Sequence, residues 1–573
     1  MDSGTIELHG GKLVINIPSK EGPQIVPIVS SEFIPGDKVT TTYPTQLITR
    51  KPQAAVAFVK SITDNVAKLY LANLGPSCPY APSFPLEDKP LKVGDRMVLW
   101  LESDGSIQSR GLYSSDASDD VPCLLKMYSL YKKRDDFIYL LNDYQKPLYT
   151  MEATINHNNL NTFTIDPESS EDFDDAISVD PSTNTIYVHI VDIAGADCQS
   201  LISEQARRRL RERCLTLYLS NEHTEHLLDP EVAADKLSLI KGQERKVITV
   251  KTVLTENGMV QEYDIYRSTI IVKNRYSYDE VTTMLKHKTA PQELTYLVKL
   301  TENRSSNVKY NINLPSMRFK IDKTSGHINT IHCESTNDDS HKLVATAMIL
   351  ANLVVSKHLH FCHVKLPNRF HESLHGMNNP NFTTTGNTHV DSFILVKRYA
   401  RACYSVDKKG HFGLGLTDYV HFTSPMRRYA DVIVHWILSG AVLNEQSIEE
   451  EVEWMNFRSQ VVRSIQDLYV NWKICRHLQH LVTTHSFEPK TFDIWITDVK
   501  KGGVLWFMPE LSLNGFAHVS TLSPKQFWYF DYGKNVLEGQ FNGTSVTVGK
   551  HFKASVDSID PITFTLNLVI YTS

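Results

Sequence analysis

Six carboxylates fall within ten residues in this chain: Asp166, Glu168, Glu171, Asp172, Asp174 and Asp175. They are threaded among Phe163, Ile165, Phe173, Ile177 and Val179, residues that favour a strand with a buried face. A fold that buries those apolar side chains must carry the carboxylates to the rim of its core. Carboxylates crowded there repel one another unless a cation neutralises them. Side chains alternate along a strand, so Asp172 and Asp174 share a face wherever the segment is extended. A local bend would bring Asp166 and Asp175 to the same point. Hard oxygen donors with no clustered His or Cys favour Mg2+ or Mn2+ over zinc. A calcium-binding helix–loop–helix hand is excluded, because Ala176 stands where an oxygen donor is needed and the turn glycine is missing. A solvated acidic loop remains the alternative, and the interleaved apolar residues argue against it.

A second segment runs His421-Phe422-Thr423-Ser424-Pro425-Met426-Arg427-Arg428-Tyr429-Ala430-Asp431 and continues into Val432-Ile433-Val434. Ser424 is a favourable N-cap and Pro425 a favourable first helical residue. That places Arg427 and Arg428 in a first helical turn, where the helix dipole disfavours cations. Two guanidiniums at a helix N-terminus form a strong phosphate site. Asp431, one turn on, is placed to hold Arg427. An ordinary surface pair is the alternative, although Arg preceding Asp is the weaker order.

The 573 residues suggest three to five domains. Short β-rich runs fill the first ~125 residues, and Gly36-Asp37 and Gly94-Asp95 open strands at comparable positions. They read as two small barrels, 1–60 and 61–144, or as one β-sandwich. Residues 145–487 mix strands with long helices, including Leu343 to Leu359 and Ile448 to Val482. Residues 488–573 return to short strands and suggest a third barrel. The Leu343 to Val355 run is too short to cross a bilayer and reads as a buried helix. The N-terminus has neither a basic nor an apolar leader region, and the eight cysteines form no CxxC pair. These features point to a monomer in a reducing, cytoplasmic (intracellular) compartment with no membrane or lipid partner. The net charge of −6 counts mildly against a nucleic-acid partner, although a local basic channel is compatible with it.

Together the two motifs resemble the ribonuclease II (RNB) family of 3′→5′ exoribonucleases, including its ribonuclease R-like members. Asp166, Asp172, Asp174 and Asp175 match its Asp-(five residues)-Asp-x-Asp-Asp signature, and Thr423 to Asp431 match its Thr-Ser-Pro-x-Arg-Arg-Tyr-x-Asp signature. His411 to Leu416, Val188 to Asp192 and Met348 to Asn352 are also similar to family segments. The resemblance implies a multidomain α+β chain. Two oligonucleotide-binding (cold-shock-like) barrels would precede a central α/β RNB catalytic domain, and an S1-type barrel would follow it. It implies single-stranded RNA as substrate and hydrolysis to 5′-nucleoside monophosphates. The four aspartates would hold two Mg2+ ions, with Mn2+ able to substitute. Arg427 would neutralise developing phosphate charge, Arg428 would help to position it, and Ser424 and His421 would line the phosphate site. Tyr218 would orient the RNA end, Phe319 would clamp terminal bases, and Tyr278 would line the catalytic cavity.

Two departures stand out. Ala345 and Thr346 occupy the place of a usual Glu-Glu pair, and the Ser220 to His226 segment is more charged than the usual proline-bearing loop. They leave open a catalytically weak or inactive RNA-binding regulator on the same fold. The Arg207 to Arg213 run reads as a solvated helix face or as a channel wall.

Overall fold

In the computed structural model the first two barrels grow from the same local device. Gly36 and Gly94 both take positive φ, 94° and 95°, a region that costs glycine little. The aspartate that follows turns its carboxylate back onto an N–H three residues earlier. Asp37 accepts from Ile34 at 2.9 Å and Asp95 from Lys92 at 2.8 Å. Each turn leads into a strand, Lys38–Thr40 or Arg96–Leu101. The structure describes residues 3–572 apart from 10–11, 19–23, 29–32, 42–43, 73–80, 86–90, 132–149, 169, 196–203, 221, 306–311, 323–327, 336–337, 373–383, 400, 441–444, 484–490, 542 and 561–563.

Ser3–His9, Lys12–Ile17, Gln24–Pro27, Lys38–Thr40 and Leu47–Thr49 form the first five-stranded sheet. Gln53–Thr63, Val66–Leu71, Ser83–Pro85, Arg96–Leu101 and Ile107–Tyr113 form the second. A division at residue 60 would therefore cut the strand Gln53–Thr63, which pairs only within the second sheet. The sheets part between Thr49 and Gln53 instead. The strand's unbroken apolar run explains this, because it is buried on both faces. Ala55, Ala57 and Val59 fill the barrel, while Ala54, Val56 and Phe58 join a second core with the helix Asp120–Leu130. The expected boundaries at 144/145 and 487/488 lie outside the described residues.

The central sheet runs Thr150–Asn156, Val260–Ser277, Thr162–Asp166, Asp175–Asp180, Thr185–Val191, Glu244–Leu254. The long strand Val260–Ser277 also pairs with Glu244–Leu254 and so closes five of the six strands into a ring. One polar residue from each strand of the ring forms a buried chain. Thr162 Oγ1 lies 2.8 Å from Ser178 Oγ, Ser178 Oγ 3.0 Å from His189 Nε2, His189 Nδ1 2.8 Å from Thr249 Oγ1, and Thr249 Oγ1 2.6 Å from Ser268 Oγ. Burial drives the His189 imidazole down to about 3, so it is neutral in the fold. A depressed folded value contributes stability that is present above the unfolded pKa and lost as pH falls below about 6.5. His189→Gln is therefore expected to lose about 2 kcal/mol less than the parent between pH 6.5 and pH 5. Urea unfolding at the two pH values measures this, and equal losses in both proteins reject it.

The helix Asp339–Phe361 is long and apolar enough to cross a membrane by length and composition. Here Leu343, Ala347, Leu350, Ala351, Val354 and Val355 are buried in the main core beside the ring, as expected for Leu343 to Leu359. The helix Glu445–Thr483 covers the expected Ile448 to Val482 and runs along the second core. The C-terminal unit has six strands in one sheet, led by Thr491–Lys500, Gly503–Met508 and Leu513–His518, and three in another. The chain is thus a multidomain α+β protein with curled barrels flanking a mixed α/β core.

Candidate active site

Asp166 ends the strand Thr162–Asp166, and Asp175 opens its antiparallel neighbour Asp175–Asp180. The intervening loop returns Asp174 to the same rim. Its register is fixed by backbone bonds, with the Val191 N–H donating to the Asp174 carbonyl at 3.1 Å and the Leu239 N–H to the Phe173 carbonyl at 3.1 Å. The alternation of apolar and acidic residues has the expected consequence: Phe163, Ile165, Phe173 and Ile177 enter the core and the acids gather above it.

The arginine signature lies against this rim. The Met426 N–H donates to Asp174 Oδ1 at 2.9 Å, and Arg427 Nε to Asp174 Oδ2 at 3.2 Å. The two motifs are 252 and 253 residues apart in sequence and meet at one carboxylate. Burial pushes the Asp174 carboxyl up to about 6, opposed by Arg427 and the Met426 N–H. Burial raises Asp166, and the nearby Asp174 charge adds to it. Burial also raises Asp175 well above the usual range, reinforced by Asp166 and Asp174.

The local structure of the arginine segment differs from the expectation. The helix spans Tyr429–Leu438, and Arg428, with extended φ and ψ, is its N-cap. Ser424 is not the cap. Its carbonyl instead accepts from the Arg427 and Arg428 N–H groups in the turn before the helix. Nor does Asp431 hold Arg427. It takes Arg428 in a bidentate pair at 2.9 and 2.8 Å and accepts the Ser424 N–H at 2.8 Å. The physical reason lies in the neighbouring chain: the Thr216 N–H donates to the Arg427 carbonyl at 3.1 Å and the Tyr429 N–H to the Cys214 carbonyl at 2.9 Å. This strand-like stitching delays the helix by four residues. It leaves the Arg427 side chain half exposed while Arg428 is largely covered.

None of the other three aspartates is among the charges acting on Asp172. Its Oδ2 lies 3.5 Å from His226 Nδ1. Burial raises its carboxyl, and His226 and Glu171 are the charges acting on it. The structure thus brings together Asp166, Asp174 and Asp175. Among the described residues no three His, Cys, Asp or Glu side chains already surround one point at ligand spacing. Cation chemistry still fits the donor set, because the acids are hard oxygens buried with a surplus of negative charge. Asp166 Oδ2 in particular is buried without a hydrogen-bond partner.

Tyr278 begins the helix Tyr278–His287, where Ser277 and Glu280 form a capping box. Its ring stacks on His341 at 3.7 Å, 6° from parallel. Burial raises its phenol, as do the Asp175 and Asp166 charges, so it faces the acidic rim. Ala345 and Thr346 follow His341 by about one turn on the same helix and bring no carboxylate to this side. Tyr218, on the strand Leu217–Leu219, is 46% exposed. Burial raises its phenol as well, and Arg427, Asp174 and Asp172 all act on it.

Phe319 departs from the clamping role. It is 1% exposed and belongs to the second core with Leu217, Leu219 and Ile465. Alternation on the strand Pro315–Ile321 turns the ring inward, so it offers no face to a base here. His421 does not reach the acidic rim. Its Nδ1 pairs with the Tyr404 hydroxyl at 2.8 Å, and burial and the Arg428 charge hold it well below 6.5. It lines a side pocket of about 190 Å³ with Arg369, Arg401, Arg428 and Arg463. In the Arg207 to Arg213 run the outcome is mixed. Arg211 is buried against Glu451 and Arg213 ties to Glu225, while Arg209 is exposed.

Three features of the site carried little sequence signal. The Met426 N–H is a backbone group. Asn352 fastens the arginine segment by accepting the Phe422 N–H at 2.9 Å. A cavity of about 1260 Å³ is lined by Arg369, Lys397, Arg401 and Arg463, with Asp467 the single carboxylate among the lining residues. Its wall spans the second barrel (Ala72), the core and the C-terminal barrel (Ser512 to Asn514). The four aspartates are not part of that wall.

A closed strand ring with acids at its rim, met there by a buried arginine turn, defines a catalytic core of the RNB type. Residues 155–444 match the RNB domain, and the chain belongs to that family. It is 26% identical over 519 residues to a ribonuclease R of Chlamydia trachomatis, covering 81% of this chain and 73% of that one. Among solved structures, Mycoplasma genitalium RNase R in complex with ribose methylated single-stranded RNA shares the fold. That pair has a TM-score of 0.76 and 18% identity, covering 99% of this chain and 100% of that one. Yeast Ssd1, described as a pseudonuclease, also shares the fold, with a TM-score of 0.67 at 15% identity over 94% of this chain and 81% of that one.

Proposed function

We propose that this chain is a hydrolytic, processive 3′→5′ exoribonuclease that shortens single-stranded RNA to 5′-nucleoside monophosphates. The observation that carries the reading is the meeting of Arg427 with the buried Asp166, Asp174 and Asp175 set. Asp166, Asp174 and Asp175, with Asp172 drawn in from the His226 side, would hold two divalent ions, Mg2+ or Mn2+. Such ions activate water and steady the leaving oxygen of in-line phosphodiester hydrolysis. Arg427, half exposed, swings from Asp174 to the scissile phosphate and offsets its developing charge. Arg428 stays locked on Asp431 and positions the turn. Ser424 holds Arg427 through a 3.1 Å bond from the guanidinium to its Oγ. Tyr278 closes the acidic side, and Tyr218 offers an exposed ring on which a base stacks.

The cationic cavity supports a path for the strand. Burial lowers both Lys397 and Arg463, and the neighbouring Arg401 adds to it. A wall that confines like charges this way is relieved by an anionic polymer. Stacking and backbone charge do not read sequence, which suits processive decay.

The turn of Asp172 toward His226 favours a second reading, an RNA-binding regulator on the same fold that does not cut. One experiment separates the two. The purified chain is incubated with 5′-labelled single-stranded RNA and Mg2+, and then with Mn2+. The nuclease converts the 5′-labelled strand to a short labelled end product with few intermediates and releases unlabelled mononucleotides. RNA that is bound and left intact in both metals rejects the nuclease and supports the regulator.

A further inference from the structure

One stripe of the helix Glu445–Thr483 holds two separate parts of the chain. Gln466, Tyr469, Lys473 and Arg476 are spaced by three, four and three residues, which puts them on one face. Gln466 Nε2 donates to the Tyr218 carbonyl at 3.2 Å. The Tyr469 hydroxyl donates to Glu222 Oε2 at 2.6 Å, and Lys473 Nζ to Glu222 Oε1 at 3.0 Å. Lys473 also lies 3.8 Å from Asp120 Oδ2. Arg476 grips the same Asp120 carboxylate at 2.9 Å through both Nε and NH2. Asp120 further pairs with Arg96 of the second barrel. The chain of contacts thus runs from the hairpin Leu217–Leu219 and His223–Glu225, across the helix, into the second barrel.

The inner members of the chain are unusually buried for charges, while Glu222 at its outer end has a side chain 22% exposed. The side chains of Lys473 and Asp120 are each 1% exposed and that of Arg96 is fully buried. A buried charge is tolerated only when it is paired, and removing one partner strands the other. Lys473 draws on two anions, Glu222 at 3.0 Å and Asp120 at 3.8 Å, and Asp120 is already taken by two arginines. Glu222 is therefore the anion that settles Lys473, and Lys473 is the anchor of the turn beneath Tyr218. The same segment departs from the family pattern in being charged.

We propose that Glu222 is a positioning residue for the nuclease reaction: through Lys473 it locks the Tyr218 hairpin to the second barrel and so fixes where the terminal base of the RNA rests. This rests on the proposed nuclease reading. With Glu222 neutralised, the hairpin loosens, the base is seated less well and the scissile phosphate meets the acidic rim less often. A misplacement of about 1 Å costs on the order of 100-fold in rate.

The test uses the full chain with Glu222→Gln, Glu222→Asp and the parent. On single-stranded RNA, Glu222→Gln is expected to lower kcat/KM by roughly 10- to 100-fold. It should also release end products longer than the parent does when assayed well below both melting points, the stranded Lys473 lowering the variant's melting temperature. Glu222→Asp, which restores the charge, recovers most of that loss. Hydrogen exchange, read without RNA, is expected to quicken in Glu222→Gln both in 217–225 and in 120–130. Parent-like kinetics and products in Glu222→Gln overturn the proposal while the nuclease reading stands. Quickened exchange confined to the 217–225 hairpin overturns it too, because the barrel is then not coupled. If the parent itself does not cut, the nuclease reading fails, and the exchange result alone decides whether the lock exists.

Discussion

Asp174→Asn is expected to lower RNA hydrolysis by on the order of 10⁴-fold or more while leaving single-stranded RNA bound. Asparagine keeps an oxygen for the Met426 N–H, so the arginine turn stays docked. It removes the negative charge that Arg427 and a cation need. The same substitution has a second consequence of opposite sign. Burial lifts the Asp174 carboxyl to about 6 from 3.8, so its ionised form is disfavoured in the fold. A raised folded value means stability that is present at low pH and lost as pH rises through about 6. Above that pH the ionised group costs on the order of 3 kcal/mol in the metal-free protein, and asparagine escapes that cost. Metal-free Asp174→Asn should therefore melt higher than the parent at pH 7.5 and alike at pH 4. Mg2+ at 100 times its dissociation constant adds about 2.7 kcal/mol to the parent and much less to the variant. Nuclease assays, filter binding and calorimetry read these three effects. Retained cleavage would remove Asp174 from the mechanism, and lost binding would make its role structural.

Much of this arrangement was legible because it is written in short-range patterns. The two Gly-Asp turns follow from positive φ and a carboxylate reaching back three residues. The interleaving of acids with Phe163, Ile165, Phe173 and Ile177 dictated which side chains enter the core and which crowd its rim. What could not be read depends on partners far along the chain. Ser424 and Pro425 carry a sound helix-start signal, yet Cys214 to Thr216 compete for the same backbone and win. Once the N–H of Tyr429 and the carbonyl of Arg427 are spent on that neighbour, the helix begins later. Asp431 then falls three residues from Arg428 and takes it in place of Arg427. Phe319 shows the same limit. The resemblance implied a base-clamping Phe319, but strand alternation and the facing core decide which way the ring points. The Gln53–Thr63 strand carried the opposite sign: its continuous apolar run marks burial on both faces, and a boundary placed inside it could not stand.

Arg427→Ala is expected to lower kcat by roughly 100- to 1000-fold, the usual cost of removing one donor to developing oxyanion charge, with KM changed far less. The geometry gives this prediction a signature that simple loss of function would lack. In the metal-free fold the guanidinium serves Asp174, with Nε at 3.2 Å from Oδ2. Removing it leaves a buried carboxylate with the Met426 N–H and little else, so its carboxyl rises further. Arg427→Ala should thus destabilise the metal-free protein at pH 7.5, where Asp174 ionises, and not at pH 4, where it is protonated. In an Asp174→Asn background the same substitution should cost no stability at either pH, because the charge it served is gone. A double-mutant cycle of melting curves measures this coupling. Equal destabilisation in both backgrounds would mean that Arg427 acts on stability through packing and that its contact with Asp174 is incidental. Guanidinium and divalent cation answer the same surplus of buried negative charge, one from the protein and one from solution. If a cation were held by the Asp174 carboxylate, the half-exposed Arg427 would be free to meet a phosphate. The Ser424 hydroxyl, 3.1 Å from its NH2, keeps it within reach of both.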